Sequence, residues 1–256
     1  MLRKDQLDAP WASSATVDAE EIARFTELAE EWWNPDGKLR AMHDFNPVRR
    51  DYILDCVASH FGRQGPGSCG LAGLDVLDVG CGAGLLCEPL AEHGARVVGI
   101  DATARNIEVA GWHAAEQGLG IDYRHTLAAD LRQGGESFDV VLNTEVVEHV
   151  TDVGQLLADC SALVRPGGIM IVATLNRTLR AYVLAIVGAE YVLGWLPRGT
   201  HDWRRFVRPA EISSMLARDG LQTADLTGVT YNPLRRRWRL SSDISVNYML
   251  RAVRSG

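Results

Sequence analysis

The feature that most constrains this chain is a glycine-rich turn between an apolar strand and a helix. Residues 75–79 have the composition of a buried strand, and glycines follow at Gly80, Gly82 and Gly84. A second apolar run ends on a carboxylate at Asp101. Glycines let the backbone approach a ligand closely, and an acid after the second strand can accept hydrogen bonds from ribose hydroxyls. The pattern predicts a nucleoside-binding crevice at the carboxyl ends of parallel strands.

Glycine spacing and Asp78 indicate which nucleoside the crevice takes. The glycines follow G-x-G-x-G, whereas the dinucleotide-binding fingerprint is G-x-G-x-x-G. Asp78 lies just before the turn, where its charge would repel a pyrophosphate and attract a cation. S-adenosylmethionine carries an ammonium and a sulfonium, so we predict this cofactor, with Asp78 at its ammonium. A nicotinamide oxidoreductase is the rival interpretation, and both features weigh against it.

Composition restricts the remaining classes of protein. A formal net charge of −7 at pH 7 argues against a nucleic-acid partner, because nucleic-acid binders carry a basic surplus or stripe. The arginine-rich run at 235–239 is the exception, and we interpret it as a solvated loop. Five cysteines without a C-x-x-C pair favour a reducing compartment. With neither a signal-like start nor a spanning apolar stretch, the sequence predicts a cytoplasmic protein.

The order of predicted elements indicates an α/β fold. Seven apolar runs have the length and composition of strands: 75–79, 96–101, 121–125, 138–143, 169–175, 222–229 and 246–253. Helical patterns separate the first five, which predicts a Rossmann-like, seven-stranded, mostly parallel sheet with helices on both faces. We expect a disordered tail over 1–17 and a single domain over 18–256. This domain is expected to begin with helices over 18–62 and to carry a lid insertion over 177–208.

Side chains directly after the fourth predicted strand are candidates for the chemistry. Glu145, Glu148 and His149 are spaced i, i+3 and i+4, which predicts that they share one face of a helical turn. On one interpretation they hold a divalent metal such as Mg²⁺, which would acidify a bound phenol. On the other they pack without metal, and His149 with Glu145 supplies the catalytic base. Thr144, at the end of the strand, is expected to contact the cofactor.

Segments outside the cofactor motifs resemble a known family. They are Trp32-Trp33 and the stretches 46–49, 174–178, 187–191, 199–203, 231–233 and 246–249. Together they resemble the bacterial ubiquinone-biosynthesis O-methyltransferases, over nearly the whole chain. The resemblance implies a class I methyltransferase fold. It also implies methyl transfer from S-adenosylmethionine to phenolic oxygens of polyprenylated catechols, at two steps of the pathway.

The resemblance assigns roles to individual residues as well. It implies cofactor-binding positions at Arg49, Gly80, Asp101 and Thr144. The Arg49 guanidinium would reach the methionine carboxylate, an assignment that only the resemblance supports. The three residues after the fourth strand match positions of relatives that bind a magnesium-type ion.

The substrate implied by the resemblance is a lipid. The stretch 179–196 is apolar and carries interfacial aromatic residues, but its charges make it too polar to span a bilayer. We expect it to close over the acceptor pocket and to contact the inner face of the cell membrane. A quinone-synthesis complex is a further expected partner. Two alternatives stay open: a quinone C-methyltransferase, and a scaffold that binds S-adenosylmethionine without turnover.

Overall fold

One eight-stranded sheet lies within the residues that the computed structural model describes, which are 14, 16–63, 70–184, 202–232 and 237–256. Its strands are β1 (Asp75–Val79), β2 (Arg96–Asp101), β3 (Asp122–His125), β4 (Phe138–Thr144), β5 (Val164–Leu175), β6 (Leu221–Asn232), β7 (Arg237–Ser241) and β8 (Asn247–Arg254). Their order across the sheet is β3-β2-β1-β4-β5-β8-β6-β7. The first five strands pair in parallel, whereas β8, β6 and β7 pair antiparallel.

Helices connect and cover these strands. They are α1 (Ala19–Leu28), α2 (Arg40–His60), α3 (Cys87–Glu92), α4 (Ala104–Glu116), α5 (Ala128–Gln133), α6 (Val153–Ala162) and α7 (Pro209–Arg218). Short 3-10 turns occupy Ala29–Glu31, Val147–His149 and Trp203–Arg205, and a helical turn occupies Leu179–Ala181. Within the described part of the chain, no helix combines the length and apolar character that crossing a bilayer requires.

Successive residues of the central strands supply two hydrophobic cores. Val141 of β4 packs in a cluster with Leu157 of α6. Its neighbours Val140 and Leu142 pack in a second cluster with residues of α2 and α3, such as Ile53. Because side chains alternate across a strand, the two clusters lie on opposite faces of the sheet. The predicted α/β sheet with helices on both faces is confirmed.

The strand count differs from the seven predicted, because β7 occupies part of the run interpreted as a loop. Backbone groups of β7 pair with β6 along Gly228–Asn232. Within β7, Trp238 contacts the rings of Phe45 and Tyr231 at centroid distances of 5.3 and 5.2 Å. The arginines on either side of Trp238 are exposed. Alternation of one packed ring with exposed charges is the pattern of an edge strand, and the charge obscured it in the sequence.

The topology places the candidate site between β1 and β4. The strand order reverses there, since β2 and β3 lie on one side of β1 while β4 and β5 lie on the other. Ligands of open α/β sheets bind at this switch point, beyond the carboxyl ends of the strands. The proposed tail over 1–17 lies outside the described residues except at 14, 16 and 17. The lid over 177–208 lies outside them at 185–201.

Candidate active site

The glycine turn after β1 has the backbone that the sequence predicts. Gly80, Gly82 and Gly84 have φ angles of 71°, 55° and 90°, a region that favours glycine. A Cβ on Gly82 would lie 2.7 Å from the Trp32 ring, so the turn has no room for a side chain there. The turn therefore exposes backbone to a ligand on one side and is covered by Trp32 on the other.

Asp101 closes β2 and binds the glycine turn directly. Its Oδ2 accepts a hydrogen bond from the Gly82 amide at 3.0 Å, and its Oδ1 accepts one from the Thr103 amide at 2.7 Å. The Asn106 amide group donates to the same Oδ1 at 3.3 Å. Burial raises the pKa of Asp101, and the donors from Thr103 and Gly82 oppose that shift. The carboxylate thus lies at the predicted ribose position, held by three donors.

Asp78 lies buried below the turn, with 1% of its surface exposed. Its Oδ2 accepts from the Cys87 thiol at 3.3 Å, whereas its Oδ1 has no hydrogen-bond partner among the described residues. Burial raises the pKa of Asp78 to about 7, while the Cys87 thiol and the charge of Arg49 oppose the shift. A buried acceptor without a partner calls for a donor from a ligand, and an ammonium would also supply the missing charge.

Arg49 of α2 is a buried cation near Asp78 and is 3% exposed. Its Nε and Nη2 donate to Asn46 Oδ1 at 3.1 and 2.7 Å. Its Nη1 lies 3.6 Å from Glu145 Oε1, too far for a hydrogen bond, and has no such partner in the described chain. Asp78 and Arg49 therefore offer an unpartnered acceptor and an unpartnered donor to one ligand. That pair fits the ammonium and carboxylate of the methionine moiety of S-adenosylmethionine.

Most of the predicted residues line one cavity of about 570 Å³. They are Arg49, Asp78, Gly80, Gly82, Asp101, Thr144, Glu145 and His149. Gly84 and Glu148 are not among its lining residues. The cavity extends from the sheet edge to α1, α2 and the end of β5. This volume is within the range of small-molecule sites.

The three residues after β4 do not share a helical face, so that prediction is wrong. Glu145 has a φ of 56°, the one positive φ of a non-glycine residue in the described ranges. The chain turns sharply there before the short Val147–His149 turn begins. Its conformation directs Glu145 towards Arg49, as the 3.6 Å approach shows. A turn with left-handed backbone at a glutamate is strained, and such strain concentrates at functional sites.

Glu148 is buried and its two oxygens differ. Oε2 accepts from the Thr174 hydroxyl at 2.8 Å, and Oε1 has no hydrogen-bond partner among the described residues. Burial, followed by the negative charge of Glu145, raises the pKa of Glu148 well above its usual range. The carboxyl group is thus held in a place that disfavours its charge.

His149 faces α1 instead of the two glutamates. Its Nδ1 lies 3.0 Å from Glu21 Oε2 and 3.3 Å from Arg24 Nη2, and its ring meets the Phe25 ring edge-on at 5.2 Å. Within the described residues, no three His, Cys, Asp or Glu side chains form a group that could hold a metal ion. The ligand set suggested by sequence is therefore not assembled in this structure.

Three contributors to the site were not predicted from the sequence, and two of them lie far along the chain from the glycine turn. Trp32 and Glu21 come from the N-terminal segment, and Asn106 comes from the first turn of α4. Trp32 was noticeable as half of a tandem tryptophan, but that pattern carries no role by itself. The available signal for Asn106 was its position as a polar residue in the first turn of the helix that follows Asp101.

Comparisons with known proteins agree with the fold. A family model described as a methyltransferase domain matches residues 77–172. A magnesium protoporphyrin IX methyltransferase from Synechocystis, solved with S-adenosylhomocysteine, aligns with a TM-score of 0.61 at 23% identity, covering 98% of this chain and 97% of that one. An N-methyltransferase from Bradyrhizobium japonicum, also with S-adenosylhomocysteine, aligns at 0.62 and 16% identity, covering 92% and 99%. The fold and the cavity define a class I methyltransferase that uses S-adenosylmethionine.

Sequence relatives place the chain more closely. It is 57% identical to a ubiquinone biosynthesis O-methyltransferase of Chelativorans sp. (strain BNC1), over 95% of this chain and 96% of the relative. The corresponding protein of Parvibaculum lavamentivorans is 54% identical over 95% and 96%. The chain belongs to the ubiquinone biosynthesis O-methyltransferase family, which confirms the resemblance found in the sequence.

Proposed function

We propose that this protein methylates phenolic hydroxyl groups of polyprenylated catechol intermediates of ubiquinone biosynthesis, at two steps of the pathway. The observation that carries the proposal is identity of 57% over nearly the whole length of a relative named for this O-methylation. The cavity supports it, because it is lined by the acidic and imidazole groups of Glu145 and His149 next to Thr144.

The chain's own residues bind and orient the cofactor. When bound, S-adenosylmethionine supplies a sulfonium methyl group, whose C–S bond breaks as the phenolate oxygen forms the new C–O bond. Asp78 attracts the ammonium, Arg49 donates to the carboxylate, and Asp101 accepts from the ribose hydroxyls. Backbone of the turn at Gly80 and Gly82 lies alongside the ligand, and Thr144 bounds the methionine end. Fixing the reactants in line accounts for a large part of such catalysis.

We assign the removal of the phenol proton to His149, with Glu145 beside it. Nδ1 has two contacts with opposite requirements, because Glu21 Oε2 at 3.0 Å can only accept and Arg24 Nη2 at 3.3 Å can only donate. Since the contact with the carboxylate is the shorter one, we assign the proton of the neutral imidazole to Nδ1. Nε2 is then the basic nitrogen of the ring, and it receives the phenol proton. Glu145 lines the same cavity. The imidazolium that forms is stabilised by Glu21, whose Oε2 lies 3.0 Å from Nδ1.

A second proposal concerns a divalent cation of the magnesium type, with Glu145, Glu148 and His149 as its ligands. It is supported by the unpartnered Oε1 of Glu148 and by the raised pKa that burial and Glu145 give this carboxyl group. A dication would favour both carboxylates, and His149 would exchange its contact with Glu21 for the ion. When bound, such an ion lowers the pKa of a phenolic oxygen.

We further propose a peripheral contact with the inner face of the cell membrane through the lid insertion. Leu179, Tyr182, Val183 and Leu184 are 76%, 43%, 48% and 50% exposed. Leu184 also lines the cavity, so this apolar stretch connects the cavity with the exposed surface, and we propose that a prenyl tail leaves the cavity along it. Flotation with vesicles of anionic phospholipid, compared with a variant carrying serine at these positions, tests the contact. A quinone-synthesis complex remains a prediction from the sequence.

The deciding experiment follows methyl transfer from labelled S-adenosylmethionine to a short-chain prenyl catechol, with magnesium or with a chelator. We expect a methoxyl product in both conditions, with His149 as the base, because the metal ligands are not assembled in the described residues. Loss of the product on chelation would replace the base by the divalent cation. Transfer that ignores the chelator would remove the metal proposal and leave His149 as the base. A methyl group on ring carbon would indicate a C-methyltransferase. Cofactor binding without transfer to any catechol would indicate a scaffold.

A further inference from the structure

We propose that Trp32 is a positioning residue for the cofactor, acting through the Asn106 amide on the ribose-binding carboxylate of Asp101. The inference concerns cofactor binding and depends on the proposed substrate only where turnover is measured. It assigns a function to Trp32 of the Trp32-Trp33 pair, to which the proposed catalytic mechanism gives no role.

Trp32 lies at the end of the N-terminal segment with its ring in the cofactor site. The residue is 7% exposed, and its ring covers Gly82, where a Cβ would approach the indole to 2.7 Å. Its Nε1 donates to Asn106 Oδ1 at 3.1 Å, and both residues line the cavity. Trp32, which belongs to the N-terminal segment, thus contacts both the glycine turn and α4.

The indole determines which way the Asn106 amide faces. An indole nitrogen can only donate a hydrogen bond, so the atom opposite it must be the amide oxygen. The amide NH₂ is thereby turned towards Asp101, where Nδ2 lies 3.3 Å from Oδ1. Asn106 is 1% exposed, so a flipped amide would set its oxygen against the carboxylate with little water between them. Loss of the indole N–H removes one of the two constraints on the amide and leaves the buried amide oxygen without this donor, while the Asp101 carboxylate remains as the other constraint.

The carboxylate of Asp101 needs this donor because its orientation decides which lone pairs face the ribose. Backbone amides of Gly82 and Thr103 hold one oxygen each. Asn106 adds a third donor to Oδ1, the oxygen already held by Thr103. Of the roughly four acceptor positions of a carboxylate, these three donors leave about one, on Oδ2, and a ribose diol in the cavity would donate there.

Trp33 and His43 hold Trp32 in place. The Trp33 ring stacks on the His113 ring at 3.5 Å with an interplanar angle of 6°, and its Nε1 donates to the Ala83 carbonyl at 3.0 Å. His113 in turn contacts Glu88 of α3 at 2.7 Å. The Trp32 carbonyl accepts from His43 Nε2 at 2.8 Å. One tryptophan thus anchors the segment to α3, α4 and the glycine turn, and the other contacts the site.

The test measures binding of S-adenosylhomocysteine to W32F and N106D by calorimetry. W32F keeps an aromatic ring but loses the N–H together with part of the indole surface that covers Gly82, so a second ligand is needed to separate the two losses. Since a buried hydrogen bond is worth about a factor of ten or somewhat less, we expect its Kd to rise about fivefold to tenfold. We expect a larger rise for N106D, because a second carboxylate cannot donate to Asp101 and repels it. W112F is the matched control, since Trp112 is on α4 and 63% exposed.

A ligand without ribose hydroxyls separates positioning from general damage. If Trp32 acts through Asp101, W32F should raise the Kd of the 2′,3′-dideoxy analogue of S-adenosylhomocysteine by less than about twofold. That analogue lacks the hydroxyls that Asp101 binds, so the effects of removing the hydroxyls and of removing the indole N–H are coupled and do not add. In turnover, W32F should raise KM for S-adenosylmethionine and leave KM for the catechol unchanged. An equal penalty for both ligands, or an unchanged Kd, would overturn the inference. These binding results hold whether or not the catechol is the true acceptor.

Discussion

At the residue scale, Asp78 is the residue that we propose selects a cationic ligand for the crevice. One of its oxygens is bonded to Cys87 and the other awaits a donor, inside a site where burial opposes its charge. A neutral ligand would leave that charge uncompensated, and an anionic one would be repelled. A cationic ligand both satisfies the oxygen and favours ionisation. This explains in physical terms why an acid next to the glycine turn distinguishes the site from a pyrophosphate site.

The affinity for S-adenosylmethionine should fall as the pH drops below neutral. Burial raises the pKa of Asp78 to about 7 in the free protein, and the ammonium of the ligand binds the ionised form. Below that pKa, binding must release a proton, so the Kd should rise by up to about tenfold per pH unit. Calorimetry from about pH 6 to about pH 8, in buffers of different ionisation enthalpy, measures the affinity and the released proton together.

The control for this pH dependence is D78N, which cannot titrate at that position. It should bind the cofactor about tenfold to a hundredfold more weakly at high pH, since a hydrogen bond to a charged group is lost. Its Kd should also change little with pH. A pH dependence that persists in D78N would assign the titration to another group.

Glu148 provides a second residue-scale prediction, on stability. A carboxyl group whose pKa is raised on folding binds more protons when folded, so stability falls as pH rises above its unfolded pKa. E148Q removes this penalty and keeps an acceptor for Thr174. We expect its Tm at neutral pH to be higher by roughly 2–4 °C for each kcal/mol recovered. A lower Tm in metal-free buffer would show that the charge of Glu148 is already compensated.

At the scale of elements, α1 is tied to the acceptor side of the site. Asp18, at the beginning of α1, pairs with Arg205 at 2.8 Å, and Glu21 contacts His149. The helix therefore joins the Trp203–Arg205 turn to the residues after β4. Its position decides whether His149 has the carboxylate partner that fixes its proton. The catalysis that we propose for His149 thus depends on an element outside the parallel sheet.

Removing the carboxylate of Glu21 should slow the chemistry and leave cofactor binding intact. E21Q keeps the size of the side chain but weakens the control over the Nδ1 proton. We expect kcat to fall about tenfold, less than the hundredfold or more that general acid–base catalysis supplies. KM for S-adenosylmethionine should stay within about twofold, since Asp78, Arg49 and Asp101 are untouched.

Glu20 offers the matched control, because it is exposed on the same helix, adjacent to Glu21. E20Q changes the net charge equally and should leave kcat unchanged. If E21Q and E20Q behave alike, Glu21 does not act through His149, and α1 serves only to cover the cavity.

At the scale of the whole molecule, the sequence predicts features that a single stretch of chain determines. It misses features that depend on contacts between distant stretches. The strand, glycine turn and carboxylate from 75 to 101 lie in one stretch with an established pattern, so the fold and the cofactor crevice were predictable. β7 was not, because its strand character depends on pairing with β6 and on the contacts of Trp238. Nor did spacing reveal the left-handed backbone of Glu145, which prevents a shared helical face.

Cofactor binding should therefore stabilise the N-terminal segment together with the sheet. Trp32 covers Gly82 and bonds to Asn106, so the ligand contacts surfaces that both the segment and the sheet supply. At a hundredfold excess over its Kd, a ligand adds about 2.7 kcal/mol of stability, or roughly 5–11 °C in Tm for a chain of this size. Hydrogen exchange should show slower exchange on adding S-adenosylhomocysteine in α1 and at the glycine turn, but little change in β8. Protection confined to the turn and β2 would mean that the segment closes independently of the cofactor, and W32F should then bind it as tightly as the wild type.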